Sequence, residues 1–126
     1  VDTKKDKARL DAAYDDAIGV TAAFNRNVLN HVNRVLGGDF RPEAFAHRGY
    51  YSEADGRIEM HLEAITRQVV RWPGAERTFV AGERIHTENS YKYAPAEFTA
   101  MLQRAGFDRV QCWQDSRRDF AVFHAA

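Results

Sequence analysis

The sequence predicts an α+β domain, with helices first and antiparallel strands after them. Two observations carry this: apolar residues recur at helical spacing as far as Leu36, and from His47 they alternate at strand spacing between turn signals. A third is length, since 126 residues can bury one real core but not two large domains.

Residues 7–18 read as a helix with Leu10, Ala13, Tyr14 and Ala17 on one face. Gly19 breaks it and Thr21 is placed to cap a second helix running to Leu36, where Gly37-Gly38 stops it. Phe24, Val28, Val32, Val35 and Leu36 form that helix's apolar stripe. Its four asparagines, at 25, 27, 30 and 33, are expected to face solvent or bond nearby backbone. Pro42 suits the first turn of a short helix ending near Phe45.

Tyr50-Tyr51 and Arg57–Leu62 flank the turn Glu53-Ala54-Asp55-Gly56 and predict a hairpin. In its second arm Ile58, Met60 and Leu62 share one face, with Arg57, Glu59, His61 and Glu63 on the other. Val69–Trp72 and Arg77–Val80 form a second pair around Pro73-Gly74. A single antiparallel sheet is expected from about Tyr50 to Tyr91. A helix from Pro95 to Ala105 follows, turning Phe98, Met101 and Leu102 inward. Arg109–Trp113 and Phe120–Phe123 close the chain as a hairpin.

Composition excludes several functions. Lys+Arg and Asp+Glu number 18 each, so no net field draws the chain to nucleic acid or to an acidic membrane. No apolar run approaches a bilayer span, and the polar start has no signal-peptide core. One cysteine, Cys112, rules out an internal disulfide and fits a reducing cytosol, so a cytoplasmic protein is expected. Cys112 itself reads as a buried, inert thiol. The five histidines show no metal-ligand spacing, and no glycine-rich phosphate loop is visible, so neither a metal site nor a nucleophile is expected. Val1-Asp2 lacks an initiator methionine and reads as the interior of a longer chain.

The most informative segment is His86-Thr87-Glu88-Asn89-Ser90-Tyr91-Lys92-Tyr93. It could be a solvated loop. It could also be a strand whose period of two sends Glu88 and Ser90 to one side, where a carboxylate and a hydroxyl can clamp a small N–H-bearing ring. Tyr14 and Met60 can each be read as core residues. The residues alone lead to an α+β domain with a candidate small-ligand pocket and no reaction.

Four motifs resemble one family when read together: Ala12-Ala13-Tyr14-Asp15-Asp16, Gly19–Asn25, Arg57–Leu62 and His86–Tyr93, with Trp113-Gln114-Asp115 and Phe120 in support. They are similar, in order and spacing, to the histidine-specific S-adenosylmethionine-dependent methyltransferases of ergothioneine biosynthesis. Those enzymes trimethylate the α-amino nitrogen of L-histidine to hercynine. The resemblance covers essentially the whole chain but only the family's C-terminal part. It implies that residues 1–93 are most of a substrate-recognition domain, and that residues 94–126 are the last helix and hairpin of a Rossmann-like methyltransferase sheet. It implies that the S-adenosylmethionine loop lies upstream, so that this portion is inactive alone. A half-sheet with orphan edges is also prone to self-association.

Residue by residue, the resemblance implies that Tyr14 binds the substrate carboxylate and that Thr21 acts near the α-amino group through water. Phe24 lines the pocket, and Met60 lies beside the imidazole. Glu88 and Ser90 bond the two imidazole nitrogens. No residue of this chain is expected to be the general base. A relative acting on another amino acid or amine, and a non-catalytic ligand-binding domain, are the alternatives.

Overall fold

The computed structural model describes residues 1–126. Three α-helices and seven strands follow one another, every strand paired antiparallel. Helix α1 spans Lys7–Tyr14 and α2 spans Val20–Leu36. Strands β1 (Phe45–Ser52), β2 (Arg57–Ala64) and β5 (Arg84–Tyr91) form a sheet in the order β1-β2-β5. Strands β3 (Gln68–Trp72) and β4 (Ala75–Phe79) form their own hairpin between β2 and β5, so the single sheet expected from Tyr50 to Tyr91 is divided in two. Helix α3 (Pro95–Arg104) leads into the hairpin of β6 (Val110–Gln114) and β7 (Ala121–Ala125).

Helix α1 stops at Tyr14, four residues short of the expected end. The cause is Asp16, whose carboxylate accepts from the N–H groups of Val20 (2.9 Å) and Thr21 (2.8 Å) and so starts α2 instead. Asp16, not Thr21, is therefore the side chain that caps α2. Gly19, at φ +78°, turns the chain between the two helices. The Thr21 side chain and the N–H groups of Thr21 and Val20 hold the Asp16 carboxyl down at about 2.

Two apolar clusters lie against one face of the three-stranded sheet. Leu29, Phe45, Leu62, Ala64, Val70 and Phe79 form the larger, where the rings of Phe45 and Phe79 meet edge-on at 5.6 Å. Leu10, Tyr51, Ile58 and Met60 form the smaller, with Tyr14 packed against them. Ile58, Met60 and Leu62 thus define the sheet's inner face, as the alternation predicts.

Helix α2 departs from expectation. Asn25 and Leu29 are its buried residues, while Phe24 is 66% exposed and Val35 64%. Asn25 is accepted inside because its amide donates to His47 Nδ1 (2.9 Å) and to the His61 carbonyl (3.1 Å). Asn33 likewise bonds the backbone of Phe40, whereas Asn27 and Asn30 pair at the surface. In the C-terminal portion Phe98, Met101 and Leu102 are only half-buried, and Cys112 is exposed rather than buried. Trp113, Phe120 and Val122 are exposed as well.

Candidate functional site

The inner face of the sheet carries the site, and an irregularity in β5 determines which residues reach it. Met60 pairs with Glu88 and His61 with His86, so Thr87 is an extra residue bulged out of the ladder. The Thr87 hydroxyl donates to the Met60 carbonyl at 2.9 Å and fills the break. Beyond the bulge Glu88 lies opposite Met60, and Ser90 opposite Ile58. Glu88 and Ser90 therefore join Met60 on the helix-covered side.

Tyr14 comes down onto this face from the end of α1. Its hydroxyl lies 3.0 Å from Ser90 Oγ. Its backbone carbonyl accepts from His47 Nε2 at 2.7 Å, which anchors the end of α1 to β1. Because His47 Nδ1 accepts from Asn25, the ring carries its proton on Nε2. Gly49 lies beneath: a Cβ there would be 2.8 Å from the Tyr14 carbonyl oxygen.

The six residues singled out by the sequence are not enclosed in one cavity. Tyr14 and Ser90 are in direct contact, and Met60 packs in the same cluster as Tyr14. Glu88 and Phe24 meet elsewhere, on an open cleft of about 210 Å³ that Asn25, Val28 and Thr87 also line. Glu88 is exposed. Thr21 is half-buried at the start of α2, its backbone held by Asp16.

Lys92 is the residue that sequence reasoning missed. Its Nζ donates to Tyr14 Oη (2.7 Å) and Ser90 Oγ (2.9 Å), and lies 2.8 Å from Asp2 Oδ2. The alternation that selects Glu88 and Ser90 continues to Lys92, which was the available signal. Burial pushes the Asp2 carboxyl up, but Lys5 and Lys92 together hold it below its ordinary value.

On the outer face of the sheet, Glu59, His61 and His86 bring one ligand atom each within 4.8 Å of one another. The set could hold a divalent cation, though no spacing in the sequence announces it. Arg57 already occupies Glu59, at 2.6 and 3.0 Å, and puts a positive charge beside the place a metal would need. Arg57 first, then His61, holds the Glu59 carboxyl down at about 2. The Tyr50 hydroxyl donates to Glu59 and its ring stacks on His61.

The helix-topped antiparallel sheet thus carries a hydroxyl, a carboxylate and an ammonium on one face. The model of the family of histidine-specific, SAM-dependent methyltransferases matches residues 1–126, and the chain belongs to that family. It is 47% identical over 127 residues to the histidine N-alpha-methyltransferase of Mycobacterium tuberculosis (strain CDC 1551 / Oshkosh), spanning 99% of this chain and 40% of that protein. Its identity to the Mycolicibacterium smegmatis protein of the same name is also 47%, over 96% of this chain and 38% of the relative. Ergothioneine biosynthesis protein 1 of Neurospora crassa is 32% identical over 90% of this chain and 13% of its own length. The chain thus spans about two-fifths of the length of the bacterial relatives.

Proposed function

We propose that this chain is the substrate-recognition part of a methyltransferase that transfers methyl groups from S-adenosylmethionine to the α-amino nitrogen of L-histidine, yielding hercynine for ergothioneine biosynthesis. One structural observation carries the reading: a β-bulge delivers Glu88 and Ser90 to the face where Tyr14 and Met60 already lie. The family match and the names of the relatives support it.

In this reading Tyr14 donates to the substrate carboxylate, and Ser90 and Glu88 bond the two imidazole nitrogens. Met60 packs against the ring. Phe24 covers the cleft, and Thr21 stands near the amino group. A carboxylate and a hydroxyl placed this way penalise a side chain without ring nitrogens, because their hydrogen bonds to water are lost without replacement. The residues present do not form a site for the methyl donor: no strand here leads through a glycine-rich turn into a helix. The division of labour at residue 93, a Rossmann-like partner sheet for residues 94–126 and a cytoplasmic setting belong to the same proposal. No helix is long and apolar enough to cross a membrane.

The test is methyl transfer by the protein that joins this chain to a cofactor-binding portion like that of its relatives. Labelled S-adenosylmethionine and L-histidine should give mono-, di- and trimethylhistidine by mass spectrometry. Transfer to another amine with histidine untouched would replace this reading with that of a relative of different specificity. Absence of binding to any amino acid would leave an interaction domain.

A further inference from the structure

Lysine side chains are rarely sealed from water unless paired, and that of Lys92 has 0% exposure. Its ammonium has three hydrogens to donate, and each has a partner: Tyr14 Oη, Ser90 Oγ and Asp2 Oδ2. It also stands 4.6 Å from the centre of the Tyr14 ring. Asp2 neutralises it, so no bare cation is left inside.

We infer that Lys92 is the positioning residue of the ligand site, an internal ammonium that turns the Tyr14 and Ser90 hydroxyls outward as donors and so selects a ligand with a carboxylate at one end and an unprotonated ring nitrogen at the other. The inference rests on the histidine reading above. Each hydroxyl has one hydrogen to give and can accept in return. Lys92 fills an acceptor position on both. At 3.0 Å the two hydroxyls then bond each other, which uses one hydrogen and leaves one spare. A ligand bearing two acceptors draws off both hydrogens and opens the Tyr14–Ser90 bond. Neither oxygen is orphaned when that happens, because each still accepts from Lys92. Without the ammonium, opening the pair would strip an acceptor of its partner.

Lys92 touches no ligand in this account; it acts through Tyr14 and Ser90. The same clamp joins three parts of the chain, since Tyr14 ends α1, Ser90 lies in β5 and Asp2 belongs to the N-terminal segment.

The experiment is a double-mutant cycle of Lys92→Met with Tyr14→Phe in the longer protein used to test function. It is read by calorimetry with L-histidine and with histidinol, which lacks the carboxylate. Lys92→Met should weaken histidine binding about tenfold, the scale of one hydrogen bond, and histidinol binding far less. It should add little once Tyr14→Phe is present. Equal losses for both ligands, additive with Tyr14→Phe, would overturn the inference and leave the histidine reading standing. If the unaltered protein fails to bind histidine, that reading falls and takes this one with it. Should Lys92→Met not fold, Lys92→Gln with Tyr14→Phe gives the same comparison, and an equal loss of the two ligands again overturns it.

Discussion

The amide of Asn25 donates to Nδ1 of His47 across 2.9 Å, and the other nitrogen of that ring donates to the Tyr14 carbonyl at 2.7 Å. A chain of buried hydrogen bonds therefore runs from α2 through β1 to the end of α1. It sets the height of Tyr14 above the sheet. Asn25→Ala leaves His47 Nδ1 without its partner in a site closed to water. The expected loss is about 1–3 kcal/mol of unfolding free energy, measured by urea titration. A loss near zero would mean that water replaces the amide there.

Gly49→Ala tests the same junction from below. The added methyl meets a backbone carbonyl rather than a flexible side-chain end, so the end of α1 must shift. Overpacking of this kind costs about 1–3 kcal/mol. A thermal melt gives the size of the loss. The His47 ring N–H signal should move with it in NMR spectra, and an unmoved signal would show that α1 yields without cost.

Helix α2 gives a contrast between two apolar residues. Leu29→Ala removes a side chain that is 2% exposed inside the larger cluster, at a cost of about 2–5 kcal/mol. Phe24→Ala removes one that is 66% exposed and should stay within about 0.5 kcal/mol of the parent chain. Urea midpoints for the two variants decide the matter, and equal losses would place Phe24 in a packed core.

Acid should unfasten the outer face of the sheet. Glu63, held by Arg48 and then Arg84, has its carboxyl brought down from 4.5 to about 2, and Glu59 behaves alike. Groups shifted downward contribute stability above pH 4.5 and lose it as pH falls through about 2. The melting temperature should therefore drop across that window, less steeply in 1 M salt because the two arginines on Glu63 are about half exposed. Glu63→Gln should flatten part of the slope; an unchanged slope would assign it to other carboxyls.

Glu88→Ala bears on specificity in the longer protein. Because Glu88 is open to water in this chain, a loss of about 1.5 kcal/mol in histidine binding is expected, the lower end for a charged hydrogen bond. Phenylalanine, which has no ring nitrogen, should lose nothing or gain. Calorimetry with both amino acids separates a residue that reads the ring from one that supports the strand.

What the sequence discloses follows the range of the interactions involved. The Gly37 stop, the Pro73-Gly74 turn and the Pro95 start are local, set by φ preferences within one or two residues, and all are where the sequence puts them. The alternation of Ile58, Met60 and Leu62 is also local and holds. The buried side of α2 differs from the sequence expectation because an asparagine is acceptable in a core only if its partners exist, and those of Asn25 lie 22 and 36 residues away. Lys92 escaped for a similar reason: its burial depends on Asp2 and Tyr14, which no periodicity links to β5.

The bulge at Thr87 works like a reading frame for side chains. Residues on either side of it follow the same two-step alternation, but out of phase, so everything after Thr87 is assigned to a face by counting from that one residue. Regular pairing carried on from His86, with Thr87 opposite Met60 and Glu88 opposite Glu59, would send Glu88 and Ser90 to the solvent side and bring Asn89 and Tyr91 underneath the helices, without changing any residue. The bulge thus holds β5 in the one pairing that keeps the carboxylate and the hydroxyl inside, and a slip of a single step would exchange the whole chemical character of the site at once.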